Sequence, residues 1–196
     1  MRQLLKRLLQ QSQPLTTSNS WLVVGLGNPG PNYQSNRHNI GQQVLDVLAD
    51  KHSQRFKSHK TGTLVAEVSH SSQKLILAKS QGFMNVSGSP VQKLLQFYSI
   101  PLDRLIVIHD ELDIEFGELR KKFDGGHAGH NGLRDLSAKC GTGYHRLRFG
   151  IGRPAGQMAV SDFVLQNFST SERKELPVLI ELAIDQVLEI TTPKTT

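Results

Sequence analysis

Trp21-Leu-Val-Val-Gly-Leu-Gly-Asn-Pro-Gly-Pro31, followed by Asn36 and then Ile40, Val44 and Leu48, decides the fold class. The apolar run from Trp21 is short and unbroken, which reads as a buried strand. Asn28-Pro-Gly-Pro31 ends it as a turn, because proline fixes φ and offers no amide to a sheet ladder. Apolar side chains then return every four residues, with Leu45 and Val47 widening the stripe, so a helix follows with Asn36 as its expected N-cap. A strand, a turn and an amphipathic helix in that order open an α/β fold.

Outward from this stretch the alternation continues. Thr63–Ser69 and Lys74–Lys79 are β-rich runs around His70-Ser-Ser-Gln73 and predict a hairpin. Ser89–Tyr98 suits a helix, with Pro90 near its start and Pro101 beyond its end. Leu105-Ile-Val-Ile108 is a core strand that runs into His109-Asp110-Glu111, so a carboxylate stands where the apolar run stops. A strand near Glu118–Phe123, a Gly-rich loop, a helix from about Asn131, a strand His145–Ile151 and a long helix within Ser171–Ile190 complete the series, without internal repeats. The pattern predicts a single three-layer α/β domain over residues 21–190, with a mixed, twisted central sheet flanked by helices. In open α/β sheets ligands gather beyond the carboxyl ends of the strands, where Asn28 and Asp110 both fall.

Composition narrows the class. At 196 residues the chain has room for one generous domain. Its apolar runs fall far short of the roughly 18 residues that span a bilayer, so no membrane role is expected. One cysteine, Cys140, allows neither an intrachain disulfide nor a cysteine zinc cage, and suits a reducing, cytoplasmic setting. The first 20 residues combine Leu4, Leu5, Leu8 and Leu9 with Arg2, Lys6 and Arg7 and carry no acid. They read as an extension outside the fold, or as a presequence that would direct organellar import; residues 191–196 read as a tail. The net charge of +6 is uneven: residues 117–153 hold eight basic side chains against three acidic ones. Arg120, Lys121, Lys122, Arg134, Lys139, Arg146, Arg148 and Arg153, interleaved with glycine, read either as a solvated face or as a docking surface for a polyanion.

Several motifs compete for the chemistry. Gly25-Leu-Gly27-Asn-Pro-Gly30 fits G-x-G-x-x-G, yet Pro29 and Pro31 oppose the helix start that a dinucleotide site needs inside the motif. His127-Ala-Gly-His130, with His109 and Asp110, offers metal-ligand types without the fixed helical face that gives such spacing meaning. No G-x-S-x-G elbow occurs. What remains is a polar set at strand ends and helix starts: Asn28, His38, Asn85, Asp110 and Asn131. Each alone is ordinary turn chemistry; together they supply an imidazole to deprotonate water, a carboxylate to orient it, and amides to meet an oxyanion.

These residues stand within stretches that resemble one family, the bacterial-type peptidyl-tRNA hydrolases. The stretches are Val24-Gly-Leu-Gly-Asn-Pro-Gly-Pro-Asn-Tyr-Gln34, Arg37-His-Asn39, Phe83-Met-Asn85, His109-Asp-Glu-Leu-Asp113, Gly125-Gly-His-Ala-Gly-His-Asn-Gly-Leu133 and His145-Arg-Leu-Arg-Phe-Gly-Ile-Gly152. They occur in the family's order over about residues 21–190. The resemblance implies a monomeric esterase, free of metal and cofactor, that cuts the bond between a peptide and the terminal ribose of tRNA. It implies His38 as base, Asp110 as its orienting carboxylate, and Asn28 as the amide that senses the acylated amino group. Tyr33, Phe83, Met84, Asn85 and Asn131 would hold the acceptor end and peptide, and Lys122 and Arg148 the tRNA phosphates. A second reading keeps the fold and drops the reaction: an RNA-binding protein such as an organellar intron-splicing cofactor. The chain departs from the common family pattern at Lys79-Ser-Gln-Gly82, where Pro and Thr are frequent, and at Ala128, where Gly is frequent.

Two effects would compete on His38. A helix N-terminus disfavours the imidazolium, and a nearby carboxylate favours it; the closer charge is expected to dominate.

Overall fold

The computed structural model describes residues 19–192; most of the 1–20 extension and of the 191–196 tail lies outside them. Among the described residues seven strands form one sheet: β1 (Ser20–Gly25), β2 (Lys57–His59), β3 (Thr63–His70), β4 (Gln73–Ser80), β5 (Leu105–Glu111), β6 (Leu119–Phe123) and β7 (His145–Gly150). Their order is β2-β3-β4-β1-β5-β7-β6. The central four are parallel, and the pairs β2–β3, β3–β4 and β6–β7 are antiparallel, so the sheet is mixed as expected.

Helices α1 (Ile40–Lys51) and α5 (Thr170–Thr191) pack on one face, and α2 (Gly88–Tyr98) and α3 (Asn131–Cys140) on the other; α4 (Val160–Val164) is a short extra turn. The pleat divides each central strand between the two cores. Val23, Ile106 and Ile108 meet Val44, Leu48, Ile180 and Ile184, while Leu22, Val24 and Val107 meet Val91, Leu94, Leu133 and Leu136. Burial on both faces is why these strands read as continuous apolar runs. Each such side chain, withdrawn from water, contributes about 1.5–3 kcal/mol before chain entropy is charged against it.

β1 lies between β4 and β5, and the connection after β1 through α1 and the one after β4 through α2 cross opposite faces of the sheet, which opens a crevice at the carboxyl end of β1. Two glycines let α1 close on that crevice. A Cβ at Gly25 would stand 2.3 Å from the Gly41 carbonyl oxygen, and one at Gly41 would stand 2.3 Å from that of Ile108. The first glycine of the G-x-G-x-x-G pattern therefore serves helix docking.

The start of this helix differs from expectation. A 3-10 turn, Arg37–Asn39, precedes α1, and the Asn36 side chain caps nothing. The Arg37 amide instead donates to the Gln166 carbonyl at 3.0 Å, and Asn36 forms an isolated bridge with Asn167. The turn is thus held by the loop before α5 rather than by a local cap.

Candidate active site

The segment carrying His38 is locked in place by its neighbours. The buried Arg37 guanidinium pairs with Glu172 at 2.7 Å, donates to the carbonyl of Asn167, and lies 4.4 Å from the Phe163 ring centroid. Glu172 is also the far half of the α5 capping box with Ser169. Truncating the buried Arg37 removes its contacts with Glu172, the Asn167 carbonyl and the Phe163 ring together, so Arg37→Ala is expected to cost roughly 3 kcal/mol. Chemical denaturation checks this; a change below about 0.5 kcal/mol, the scale of an ordinary surface substitution, would contradict it.

With the turn fixed, the His38 ring meets Asp110 at the end of β5. His38 Nδ1 lies 2.9 Å from Asp110 Oδ1 and 3.0 Å from Oδ2. His130 Nε2 reaches the same Oδ1 at 3.0 Å, and the two imidazole centroids are 4.9 Å apart. Burial alone would push the Asp110 carboxyl group up, but the charges and hydrogen bonds of His38 and His130 outweigh it and hold the carboxyl group well below the usual range. Asp110 is therefore an ionised acceptor, and Nδ1 of His38 carries the proton it receives. Nε2 of His38 is left as a bare lone pair. Burial pulls the His38 pKa down, yet Asp110's charge and hydrogen bond prevail and the net shift is upward. The closer charge dominates.

His130 shows how the second imidazole is oriented. Its Nδ1 accepts the amides of Gly132 (3.2 Å) and Leu133 (3.4 Å), capping α3 with a side chain outside the usual capping set. With Nδ1 accepting, the proton sits on Nε2 and faces Asp110. His109 is wholly buried and donates from Nδ1 to the Asp110 carbonyl at 2.8 Å. Burial, with the His130 and Arg146 charges adding, pushes its pKa down to about 3, so it stays neutral.

His38 Nδ1, an Asp110 oxygen and His130 Nε2 lie within 4.8 Å of one another, a spacing that a metal ion could bridge. The hydrogen bonds oppose that use, because both nitrogens already carry protons directed at the carboxylate. His127 lines the same cavity but is outside this close trio, its Nδ1 accepting the Gly129 amide at 3.1 Å.

A cavity of about 380 Å³ opens on the pair, lined by His38, Asp110, His130, Asn131, Arg153 and Val164 among others. Asn131 Oδ1 accepts from Arg134, which leaves its NH2 as a donor. Asn131 also borders a smaller depression of about 250 Å³ with Asn85. Asn28 lines a third, of about 330 Å³, with Asn39 and Gln42. The polar set is thus divided among three depressions, of which the first two share Asn131 and the third, with Asn28, shares no lining residue with them. Asn28 is fixed by a reciprocal pair: its amide donates to Asn39 Oδ1 at 3.0 Å and its carbonyl accepts Asn39 Nδ2 at 2.8 Å. Its own Oδ1 accepts the Met84 amide at 2.9 Å, which leaves the side-chain NH2 as a donor. Asn39 carries no signal in the sequence beyond its place after His38. Met84 is buried against Gly132, and Phe83, 54% exposed, meets Tyr33 edge-on at 6.2 Å.

The basic block divides. Arg146 is buried and donates to the carbonyls of Gly125 and Gly126, with its guanidinium 4.7 Å from the Tyr144 centroid. It clamps the Gly-rich loop and is withdrawn from any surface. Arg120, Lys121 and Arg153 are paired with Glu118, Glu189 and Asp113. Lys122 is exposed beside Gly125, and Arg148 is half-buried on β7. Ala128 in this loop has φ +45°, a left-handed conformation that an L-residue adopts at a cost of about 1–2 kcal/mol, which accounts for the glycine common there.

Comparisons with known proteins agree along the chain. A family model described as peptidyl-tRNA hydrolase matches residues 22–196. The peptidyl-tRNA hydrolase of Streptomyces coelicolor is 51% identical, the match covering 85% of this chain and 86% of that protein. That of Leifsonia xyli subsp. xyli is 54% identical, covering 87% and 90%. A crystal structure of a mutant peptidyl-tRNA hydrolase from Acinetobacter baumannii superposes with a TM-score of 0.80 at 37% identity, covering 90% of this chain and 89% of that one. A methylthioadenosine nucleosidase of Arabidopsis thaliana, 9% identical with a TM-score of 0.52, shares the fold alone. Among the described residues no helix is long and apolar enough to cross a membrane.

Proposed function

The chain belongs to the peptidyl-tRNA hydrolase family, and on that premise we propose that it hydrolyses the ester between a peptide's carboxyl carbon and the terminal ribose of tRNA, with His38 as general base. The observation that carries the reading is the Asp110 carboxylate held on His38 Nδ1 at 2.9 and 3.0 Å, which leaves Nε2 free toward the cavity. Nε2 takes a proton from water as the water oxygen attacks the ester carbon. The carbonyl oxygen becomes an oxyanion, met by the side-chain NH2 of Asn131 or Asn85. Such a donor is worth about 3–4 kcal/mol in comparable sites. Collapse of the tetrahedral intermediate restores the carbonyl and expels the ribose oxygen, which takes the proton back from His38. Since the ester is already activated, no covalent nucleophile is needed.

Asn28, its Oδ1 engaged by Met84, offers its NH2 to the acylated amino group of the peptide. Tyr33, Phe83 and Met84 flank the same approach and fit the acceptor end. Lys122 and Arg148 fit the phosphates beside the Gly-rich loop. Release of free tRNA from an N-acetyl-aminoacyl-tRNA, with and without chelator, tests the whole reading. Release in both conditions is expected. No release would leave an RNA-binding module, and release lost with chelator would assign the His38, Asp110 and His130 cluster to a metal.

Two further outcomes follow. Because Asp110 raises the His38 pKa above 6.5, the acid limb of kcat/KM is expected to bend above pH 6.5, activity falling as the base is protonated; a midpoint below 6.5 would contradict the pairing. Replacing Lys122 by Ala is expected to reduce the slope of log affinity against log salt by about one, and an unaltered slope would remove it from the interface.

A further inference from the structure

Residues 51–60 read Lys-His-Ser-Gln-Arg-Phe-Lys-Ser-His-Lys, with four cations, two imidazoles and no acid. The run lies inside the 46–116 stretch, whose eight basic and eight acidic side chains otherwise cancel. It leads from the end of α1 into β2 (Lys57–His59), the terminal strand of the sheet opposite β6. Six strand spacings of about 4.8 Å put roughly 29 Å between this edge and the one carrying Lys122. Arg55, Lys57 and Lys60 are exposed, and among the described residues none has a carboxylate partner. The acid that lines the groove here, Glu67, is already taken by Lys74 Nζ at 2.7 Å and by the Tyr98 hydroxyl at 3.2 Å.

Against this charge stands a cluster of rings. His59 and Phe97 have centroids 4.7 Å apart, Phe97 and Tyr98 are edge-to-face at 4.9 Å, and His59 and Tyr98 are nearly parallel at 6.0 Å. Phe97 is 48% exposed although its helix has a full core face elsewhere, and Lys60 Nζ stands 4.6 Å from its centroid. A groove of about 290 Å³ runs past Arg55, Lys57, His59 and Tyr98.

Lysine on an edge strand protects against sheet-to-sheet pairing, which accounts for Lys57. It does not account for a half-exposed phenylalanine held among two other rings. An apolar partner would bury the three cations uncompensated, and an acidic peptide would satisfy them while leaving the rings without planar faces to meet. A chain of phosphates and unpaired bases satisfies both, since the cations track the backbone and the rings stack on bases that a duplex would hide. We infer that the β2 edge and the end of α2 form a second RNA-binding surface, for a single-stranded segment distinct from the acceptor end held in the crevice.

Fluorescence anisotropy with a labelled ten-nucleotide single-stranded RNA, measured with the crevice side saturated by deacylated tRNA, tests this. The oligonucleotide is expected to bind in the presence of tRNA. Phe97→Ala should weaken it about tenfold, the loss of one stacked base. The double variant Lys57→Ala, Lys60→Ala should reduce the salt slope by about 1.4, two single-strand phosphate contacts. Both variants should hydrolyse N-acetyl-aminoacyl-tRNA at the parent rate, which reports that they fold. Displacement of the oligonucleotide by tRNA, loss of its binding in Lys122→Ala, or unchanged affinity in both edge variants would overturn the inference. So would displacement by poly-glutamate with Phe97→Ala binding RNA as the parent does, the mark of a surface that reads charge alone.

Discussion

Replacing His38 by Ala is expected to lower the rate of peptidyl-tRNA hydrolysis by roughly 10²–10⁴-fold, the usual contribution of a positioned general base, with tRNA affinity nearly unchanged. The separation of the two effects follows from the geometry. His38 is mostly buried and spends its one protonated nitrogen on Asp110, so it offers the bound phosphates nothing. Its remaining contacts are with the His130 ring and the cavity wall. Single-turnover hydrolysis and equilibrium binding of deacylated tRNA, measured on the same preparation, read the two quantities apart. Parent-like turnover in His38→Ala would remove it as the base, and turnover and affinity lost in step would make it a binding residue.

Asp110→Asn carries the second largest effect, and a physical reason sets its direction. The carboxylate accepts from His38 Nδ1 and from His130 Nε2. Both rings donate to Oδ1 and His38 Nδ1 also lies 3.0 Å from Oδ2, so in an amide of the same shape the NH2 either faces the His38 Nδ1 proton or replaces the oxygen that both rings need, a donor–donor clash that a reversed imidazole tautomer relieves. His130 cannot, because its Nδ1 accepts two α3 amides. His38 reverses instead, and its proton moves to Nε2, where the base must be bare. A rate loss of roughly 10²–10⁴-fold is expected with the fold intact. The residual activity should also titrate differently. With the charge removed, burial alone acts on His38 and drives its pKa down, so the acid limb shifts to lower pH. A limb that stays in place would show that Asp110 does not control the titration of His38.

The parts of the fold legible in the sequence were those where burial is two-sided. Leu22–Val24 and Leu105–Ile108 face a core on each side of the sheet, and no polar residue interrupts them. β2 escaped because Lys57-Ser-His59 is an exposed edge without a buried face, and Val160–Val164 because a five-residue helix has no period to detect. Asp110 was visible as a charge where an apolar strand ends. His38 stood out only as one member of a polar set, and the resemblance singled it out, since a histidine in a 3-10 turn has no local signature and its partner Asp110 is 72 residues away. His130 was read among metal-ligand types because an imidazole that caps a helix and donates to a carboxylate leaves no pattern along the chain. Arg146 was counted with the surface charges, since a sum of charges is blind to the carbonyls of Gly125 and Gly126 folded over it.

Nitrogen-15 NMR of the His38 ring, followed through its titration in the free protein, examines the proposed base most directly. The arrangement predicts a proton on Nδ1 and a bare Nε2 at alkaline pH, with a midpoint above 6.5 that drops in Asp110→Asn. A proton found on Nε2, or a midpoint indifferent to Asp110, would contradict it.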